Sequence, residues 1–312
     1  MNFSSLLKRS ALAAVLLAIA ALPMSSGVKR EVRSVWMATV WALDWPSSTS
    51  STTAQKNEMV KYLDVLQKNN FNAIYFQVRT MSDAFYKSSY EPWSSYLTGT
   101  GGKDPGWDPL AFVVEECHKR GINIVIDMVF NHTSDEHEWF VSATDYLKSL
   151  KPGEIPSEAD NKYFGYYNFT QTVENSAVYY EVGNTGWYYE AQFWDKMPDL
   201  NLDNEDVRHE IEGIAKYYID MGVDGFRLDA AKEFFTGSSD KNIEVLNWFT
   251  NYVKSVKEDT YVVAEVWDSF QTIAAYYKSG IDSIFNYAYG NGEGLIPAIA
   301  KMPDNTKKGE RL

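Results

Sequence analysis

Nine consecutive residues, Ile122 to Phe130, are apolar except for Asn123 and Asp127. A short run of that kind suits a strand covered on both faces, as in a parallel sheet. This constrains the whole fold, because parallel neighbours must be joined by long crossovers, usually helices. The chain provides such crossovers. Val32 to Trp41 reads as a first strand, and a Ser/Thr loop follows at Ser47 to Thr53. Ala54 to Asn69 carries Met59, Tyr62, Leu63 and Leu66 at helical spacing. Asn72 to Arg79 reads as a second strand, and a loop rich in Gly and Pro leads from it to a helix over Pro109 to Arg120. Gly121 ends that helix, and Ile122 to Phe130 is the third strand.

Regularity then stops. Thr133 to about Asn201 is rich in Tyr, Trp, Asn and Gly and is too long for a strand-to-helix loop. It reads as an inserted subdomain. Alternation resumes with a helix over Asp203 to Met221 and a fourth strand from Val223 to Leu228. A helix over Ile243 to Val256 precedes a fifth strand, Tyr261 to Trp267. A helix near Ile273 to Lys278 precedes a sixth, Ile281 to Phe285, and Gly290 to Leu312 reads as a further helix and a tail. The expected fold is α/β, a (β/α)8-type TIM barrel that is incomplete, with about six βα units and right-handed crossovers. The expected divisions are a leader over 1–26, the first three barrel strands over 30–132, the insertion over 133–201 and the last three barrel strands over 202–312.

The leader has Lys8 and Arg9 ahead of an apolar run from Ala11 to Leu22, then Ser25, Ser26 and Gly27. That is the layout of a secretory signal, and the run is shorter than the ~20 residues of a membrane span. The expected location is secreted or periplasmic, with no stable membrane span. A net charge of −13 argues against nucleic acid as a partner. The single cysteine, Cys117, lies on a helix and reads as a small core residue. His118, His137 and His209 read as structural or solvated.

The chemistry gathers in Gly222-Val-Asp-Gly-Phe-Arg-Leu-Asp-Ala-Ala-Lys-Glu233. A strand that buries Phe226 and Leu228 and then releases Asp229 at its C-terminal end presents a carboxylate where barrels place catalytic groups. Arg227 shares a strand face with Asp229, so the two should touch and the cation should keep the carboxylate ionised. Glu265 ends the next strand, about 4.8 Å away in a parallel sheet. Neighbouring strand ends can bring two carboxylates to the ~5–5.5 Å of retaining glycosidases. The apolar residues Val262, Val263, Ala264, Val266 and Trp267 should desolvate Glu265 and favour its protonated form. At the end of the third strand, His132 is placed to hydrogen-bond a sugar hydroxyl. Asn131 offers an oxygen suited to calcium, and Asp127, inside the strand, reads as a structural partner.

Asp127-Met-Val-Phe-Asn-His132, Gly225-Phe-Arg-Leu-Asp229-Ala-Ala-Lys-Glu233 and Ala264-Glu265-Val-Trp267 resemble the first three conserved regions of the alpha-amylase family of glycoside hydrolases. Met197-Pro-Asp-Leu-Asn201 resembles that family's short motif near the end of its inserted B domain, so 133–201 is B-like. The resemblance implies an α-1,4-linked, starch-like glucan as substrate and a retaining mechanism. It implies Asp229 as nucleophile and Glu265 as general acid/base, with Arg227 and His132 on the sugar being cleaved and Lys232 on a neighbouring unit. It further implies calcium held by Asn131, Asp199 and the main chain of Glu233. The family's third carboxylate, in an Asn-His-Asp motif, has no counterpart after Glu265. The expectation is a chain truncated after six units, with weakened transition-state stabilisation.

Residues 30 to about 121 resemble a different group. Val35-Trp-Met-Ala-Thr-Val40, Phe76-Gln-Val-Arg79, Tyr90 to Gly99 and Asp108 to Gly121 are similar to secreted bacterial glycosyl-hydrolase-like barrels. The chain reads as a mosaic joined near Gly121. Three readings follow: an amylase-type hydrolase, a glucan-binding protein that stacks sugars on Trp187 to Tyr189 and Phe193-Trp194, and an inactive truncated hybrid.

Overall fold

The computed structural model describes residues 31–49, 51–151, 153–173, 177–290 and 295–301. The expected leader, 1–26, lies outside them, as does the tail from 302 to 312. The chain divides into two compact units, Met1–Arg33 and Ser34–Leu312. Of the first, residues 31–33 are described and have no regular secondary structure. No helix among the described residues is long and apolar enough to cross a membrane.

Most crossover helices of the second unit start at a side-chain cap; Ser239–Val256 is the exception. Ser51 accepts from the Ala54 amide and opens α1, Thr52–Lys68. Asp108 caps α2, Pro109–Lys119, with Pro109 in the first turn, where its missing N–H is harmless. Asn204 caps α4, Glu205–Asp220; α3 (Glu138–Ser149) belongs to the insertion. Ser239–Val256 is α5 and Phe270–Tyr276 is α6. Leu63, Leu66, Leu110, Val113, Val207, Ile211, Val245 and Phe249 form the buried stripes of these helices.

The stripes cover six parallel strands: β1 Ser34–Met37, β2 Ala73–Phe76, β3 Asn123–Met128, β7 Gly225–Leu228, β8 Tyr261–Ala264 and β9 Ser283–Ile284. They are hydrogen-bonded in that order and curl into a half-barrel. Side chains alternate strictly. Ile74, Phe76, Ile124, Ile126, Phe226, Leu228, Val262 and Ala264 face the helices and join the main core. Tyr75, Val125 and Val263 face the barrel interior with Tyr261 and Phe285.

Strands and helices lie where expected, but the strands are shorter. β1 ends at Met37 rather than Trp41. There the Asp44 carboxylate accepts from the Ala38 amide at 2.7 Å, and the Gln77 side chain accepts from the Thr39 and Val40 amides at 2.9 and 3.0 Å. Side chains have replaced the sheet as hydrogen-bond partners. Between β3 and α4 stands the insertion, with its own antiparallel sheet: β4 Phe169–Thr170, β5 Tyr179–Glu181 and β6 Tyr188–Glu190, in the order β4-β6-β5. Phe140 of α3 packs on Tyr167 at 5.1 Å and on Tyr189 at 4.8 Å.

Gly225 opens β7, the strand that carries the candidate site. A Cβ there would lie 2.5 Å from the Tyr261 carbonyl oxygen, a backbone atom that cannot swing aside. Gly225→Ala should therefore spread β7 from β8 and lower unfolding stability by about 2 kcal/mol. A urea midpoint equal to wild type would contradict this close approach.

Candidate active site

The C-terminal ends of β3, β7 and β8 meet at one part-buried guanidinium. Register places Asp127 opposite Arg227 across β3 and β7. Alternation puts Asp229 on the same face of β7. Arg227 Nη1 donates to Asp127 at 2.7 Å and to Asp229 at 2.6 Å. Its Nη2 donates to Glu265 Oε2. The Trp36 ring lies 5.6 Å from the guanidinium carbon and stacks on Tyr75 at 5.5 Å. Burial works against the charge of Arg227, but Asp127, Asp229 and Glu265 together hold it protonated. Burial pushes Asp127 above the usual carboxylate range in spite of Arg227.

Asp229 and Glu265 follow the paired residues Leu228 and Ala264, and the Glu265 amide donates to the Leu228 carbonyl at 2.9 Å. The two carboxylates are thus neighbours on one cation. The surroundings of Glu265 differ from those expected. Val262, Ala264 and Val266 turn into the helix-facing core, because successive strand residues point to opposite faces. Of the apolar neighbours, Val263 shares the interior face, and Trp267 lines the same cavity as Glu265. Glu265 instead receives two donors, Arg227 and the Tyr287 hydroxyl, which reaches Oε1 at 2.8 Å. Sequence reasoning misses Tyr287. It lies 22 positions downstream, and a Tyr after an apolar strand carries no signal by itself.

The carboxylates open onto a cavity of about 490 Å³ that His132, Phe193, Lys232, Glu233 and Trp267 also line. His132 packs edge-on to Phe193 at 5.6 Å, and burial lowers its pKa to about 4. Lys232 pairs with Asp268 at 3.0 Å and lies 4.0 Å from Glu233. Asp268, with a backbone bond from Ser269 and the Lys232 cation, falls to about 2. The expected sugar-stacking aromatics of the insertion divide. Trp187 packs on Phe164 at 5.7 Å and Tyr189 lies within the insertion's own core, whereas Phe193 and Trp194 are half exposed.

The neck of the insertion forms a second polar group. His132 and Asp199 form an antiparallel bridge. Asn131 Nδ2 donates to Asp199 Oδ1 at 3.0 Å, and the Gln192 amide donates to Oδ2 at 2.9 Å. Asn131 Oδ1 is buried without a hydrogen-bond partner among the described residues. Burial, with the charges of Glu190 and Glu233, pushes Asp199 up to about 7. Of the remaining histidines, His118 pairs with Asp224 at 2.8 Å, and His137 caps α3 through the Trp139 amide. Cys117 is fully buried, its thiol pushed up to about 12 by burial.

Comparison with known proteins gives a consistent picture. The alpha-amylase catalytic-domain family model matches residues 106–292, and the glycosyl hydrolase-like 10 model matches 31–159. Alpha-amylase 3 of Dictyoglomus thermophilum is 35% identical over 267 residues, covering 85% of this chain and 49% of the relative. Glycosyl hydrolase YngK of Bacillus subtilis is 34% identical over 248 residues, covering 68% of this chain and 48% of the relative. The structure of Amy13B from Eubacterium rectale superposes with a TM-score of 0.71 at 34% identity, covering 89% of this chain and 55% of that one. The chain spans about half the length of the curated relatives it matches.

The lowered pKa of His132 has a pH signature. Unfolded, the imidazole takes up a proton near 6.5; folded, it does so near 4. Its contribution is complete above pH 6.5 and disappears as pH falls through 4. The stability difference between wild type and His132→Gln should shrink by on the order of 2 kcal/mol from pH 7 to pH 4. Urea denaturation at both pH values reads it, and a constant difference would place His132 in water.

Proposed function

The chain belongs to the alpha-amylase family, and from that membership we propose that it is a retaining glycoside hydrolase of α-1,4-linked, starch-like glucans. The observation that carries this reading is the single guanidinium of Arg227 bridging Asp229 and Glu265 on adjacent strand ends above a cavity. Asp229 attacks the anomeric carbon as the glycosidic C–O bond breaks and Glu265 gives its proton to the leaving oxygen. Water then attacks that carbon, the Asp229 ester bond breaks, and the water proton returns to Glu265. Arg227 and His132 hold the sugar being cleaved, and Lys232 a neighbouring unit. A signal over 1–26 would carry the enzyme out of the cytoplasm.

Calcium suits the insertion neck. Asn131 Oδ1 lacks a partner among the described residues, and Asp199 is a buried carboxylate that feels the charges of Glu190 and Glu233. Oxygens of this kind suit a hard cation such as calcium. Asn131, Asp199 and the main chain of Glu233 would hold the ion, which would tie the insertion to the barrel rim.

Three measurements test this reading. Asp229→Asn and Glu265→Gln should each lower reducing-sugar release from soluble starch by roughly 10²–10⁴-fold. Equal release from both variants and wild type would remove the roles assigned. Retention on insoluble starch with no release by wild type would select the binding-protein reading. Calcium at ~100 times its Kd should add about 2.7 kcal/mol to unfolding after chelation, and Asp199→Asn should abolish the gain. Identical melts with and without chelator would rule the ion out.

A further inference from the structure

Glu265 is held by two partners of different chemical character. Its Oε2 sits on Arg227, and its Oε1 accepts from the Tyr287 hydroxyl at 2.8 Å. A guanidinium only donates and never loses its charge, so Oε2 remains an acceptor. A phenolic hydroxyl can donate or accept. Tyr287 is also fixed in place, because its ring stacks on Trp267 at 4.7 Å with the planes 5° apart. Trp267 in turn lies two residues beyond Glu265, at the exit of the same strand, so the stack and the carboxylate share one support. The other charged groups nearby, Asp127 and Asp229, reach Glu265 through the shared Arg227. Burial and then the Glu265 carboxylate push the Tyr287 hydroxyl above its ordinary range.

We propose that Tyr287 is the positioning residue for the acid proton of Glu265, donating to Oε1 when the carboxyl is ionised and accepting from it when it is protonated. The proposal rests on the hydrolase reading for its consequence in catalysis. Before bond cleavage the proton rides on Oε1 and points at Tyr287 Oη. As the glycosidic bond breaks, that proton passes to the leaving oxygen, and Tyr287 turns its own O–H toward Oε1. In the second displacement the proton from water returns to Oε1, and the hydroxyl turns back. Tyr287 keeps its own proton throughout, and Arg227 stays on Oε2.

Tyr287→Phe keeps the stack and removes the hydroxyl. On maltooligosaccharides kcat should fall about tenfold while KM stays within about twofold. The alkaline limb of the kcat profile should move to higher pH, because a donor to the ionised carboxylate is gone. Unchanged kcat and an unchanged profile would overturn the proposal. A second readout needs no turnover: NMR of [13Cζ]tyrosine-labelled protein, with the Tyr287 signal identified by its loss in Tyr287→Phe. That signal should follow the titration of Glu265 in wild type and stay flat in Glu265→Gln. A signal flat in both also overturns the role of Tyr287. A responsive signal in a wild type that releases no sugar supports the positioning role and refutes the hydrolase reading alone.

Discussion

One cation, Arg227, stands among three carboxylates at the centre of the sheet's upper rim. Removing a guanidinium from water costs several kcal/mol before any pairing is counted. Here pairing exceeds what neutrality requires, so the cluster carries surplus negative charge. The surplus is partly relieved at Asp127, which burial drives toward its neutral form. The geometry of the rim follows from this arrangement. Asp127 sits opposite Arg227 by register, Asp229 by alternation, and Glu265 by the next strand's equal length. A one-residue slip of β7 would turn Arg227 into the helix-facing core and leave all three acids without a counter-ion.

Much of this is legible from local pattern. The apolar runs mark the strands, and helical spacing marks the stripes of α1 and α4. The i, i+2 rule places Arg227 on Asp229. Strand ends are not legible, because Gln77 and Asp44 compete with the sheet for the amides after Met37. The setting of Glu265 escapes sequence reasoning for a simpler reason. Apolar neighbours in sequence count as environment only on the same face, and Val262 and Ala264 lie on the other. The role of Tyr287 needs β9 folded beside β8, a long-range pairing that no local window contains. Trp187 and Tyr189 look like sugar platforms because aromatic clusters in a polar stretch suggest binding. The insertion is small, though, and it needs those rings for a core of its own.

The chain resembles two groups, yet it builds one sheet. The two family matches overlap across 106–159, which includes α2 and β3. Parallel pairing uses backbone groups, so β2 joins β3 whatever side chains each brings. Side chains then lock the join. Tyr86, from the loop after β2, shares a 2.6 Å hydrogen bond with Tyr218 of α4. Arg120 reaches back to Asp64 of α1 at 2.8 Å. Trp36 of β1 covers the guanidinium of Arg227. The segment before Gly121 therefore contributes directly to the electrostatics of a site whose acids lie wholly after it.

The two ends of the sheet treat the same residue type in opposite ways. At the N-terminal end, Asp224 accepts from His118, Lys257 and the Ile124 amide. Against the opposing effect of burial, these bonds hold it below the usual range. It is a satisfied acid, tying α2, β3 and α5 together. At the C-terminal end, burial and like charges push Asp127 and Asp199 the other way. The acids at the C-terminal rim are hydrogen-bonded too, but for Asp127 and Asp199 burial outweighs those bonds, whereas at Asp224 the bonds prevail. In β/α barrels the C-terminal rim is where chemistry is done and the N-terminal rim is where the fold is held together. Asp127 and Asp199, which burial drives toward their neutral forms, both lie at that C-terminal rim. Asp224, part-buried at the opposite rim, is held in its ionised form by a histidine, a lysine and a backbone amide.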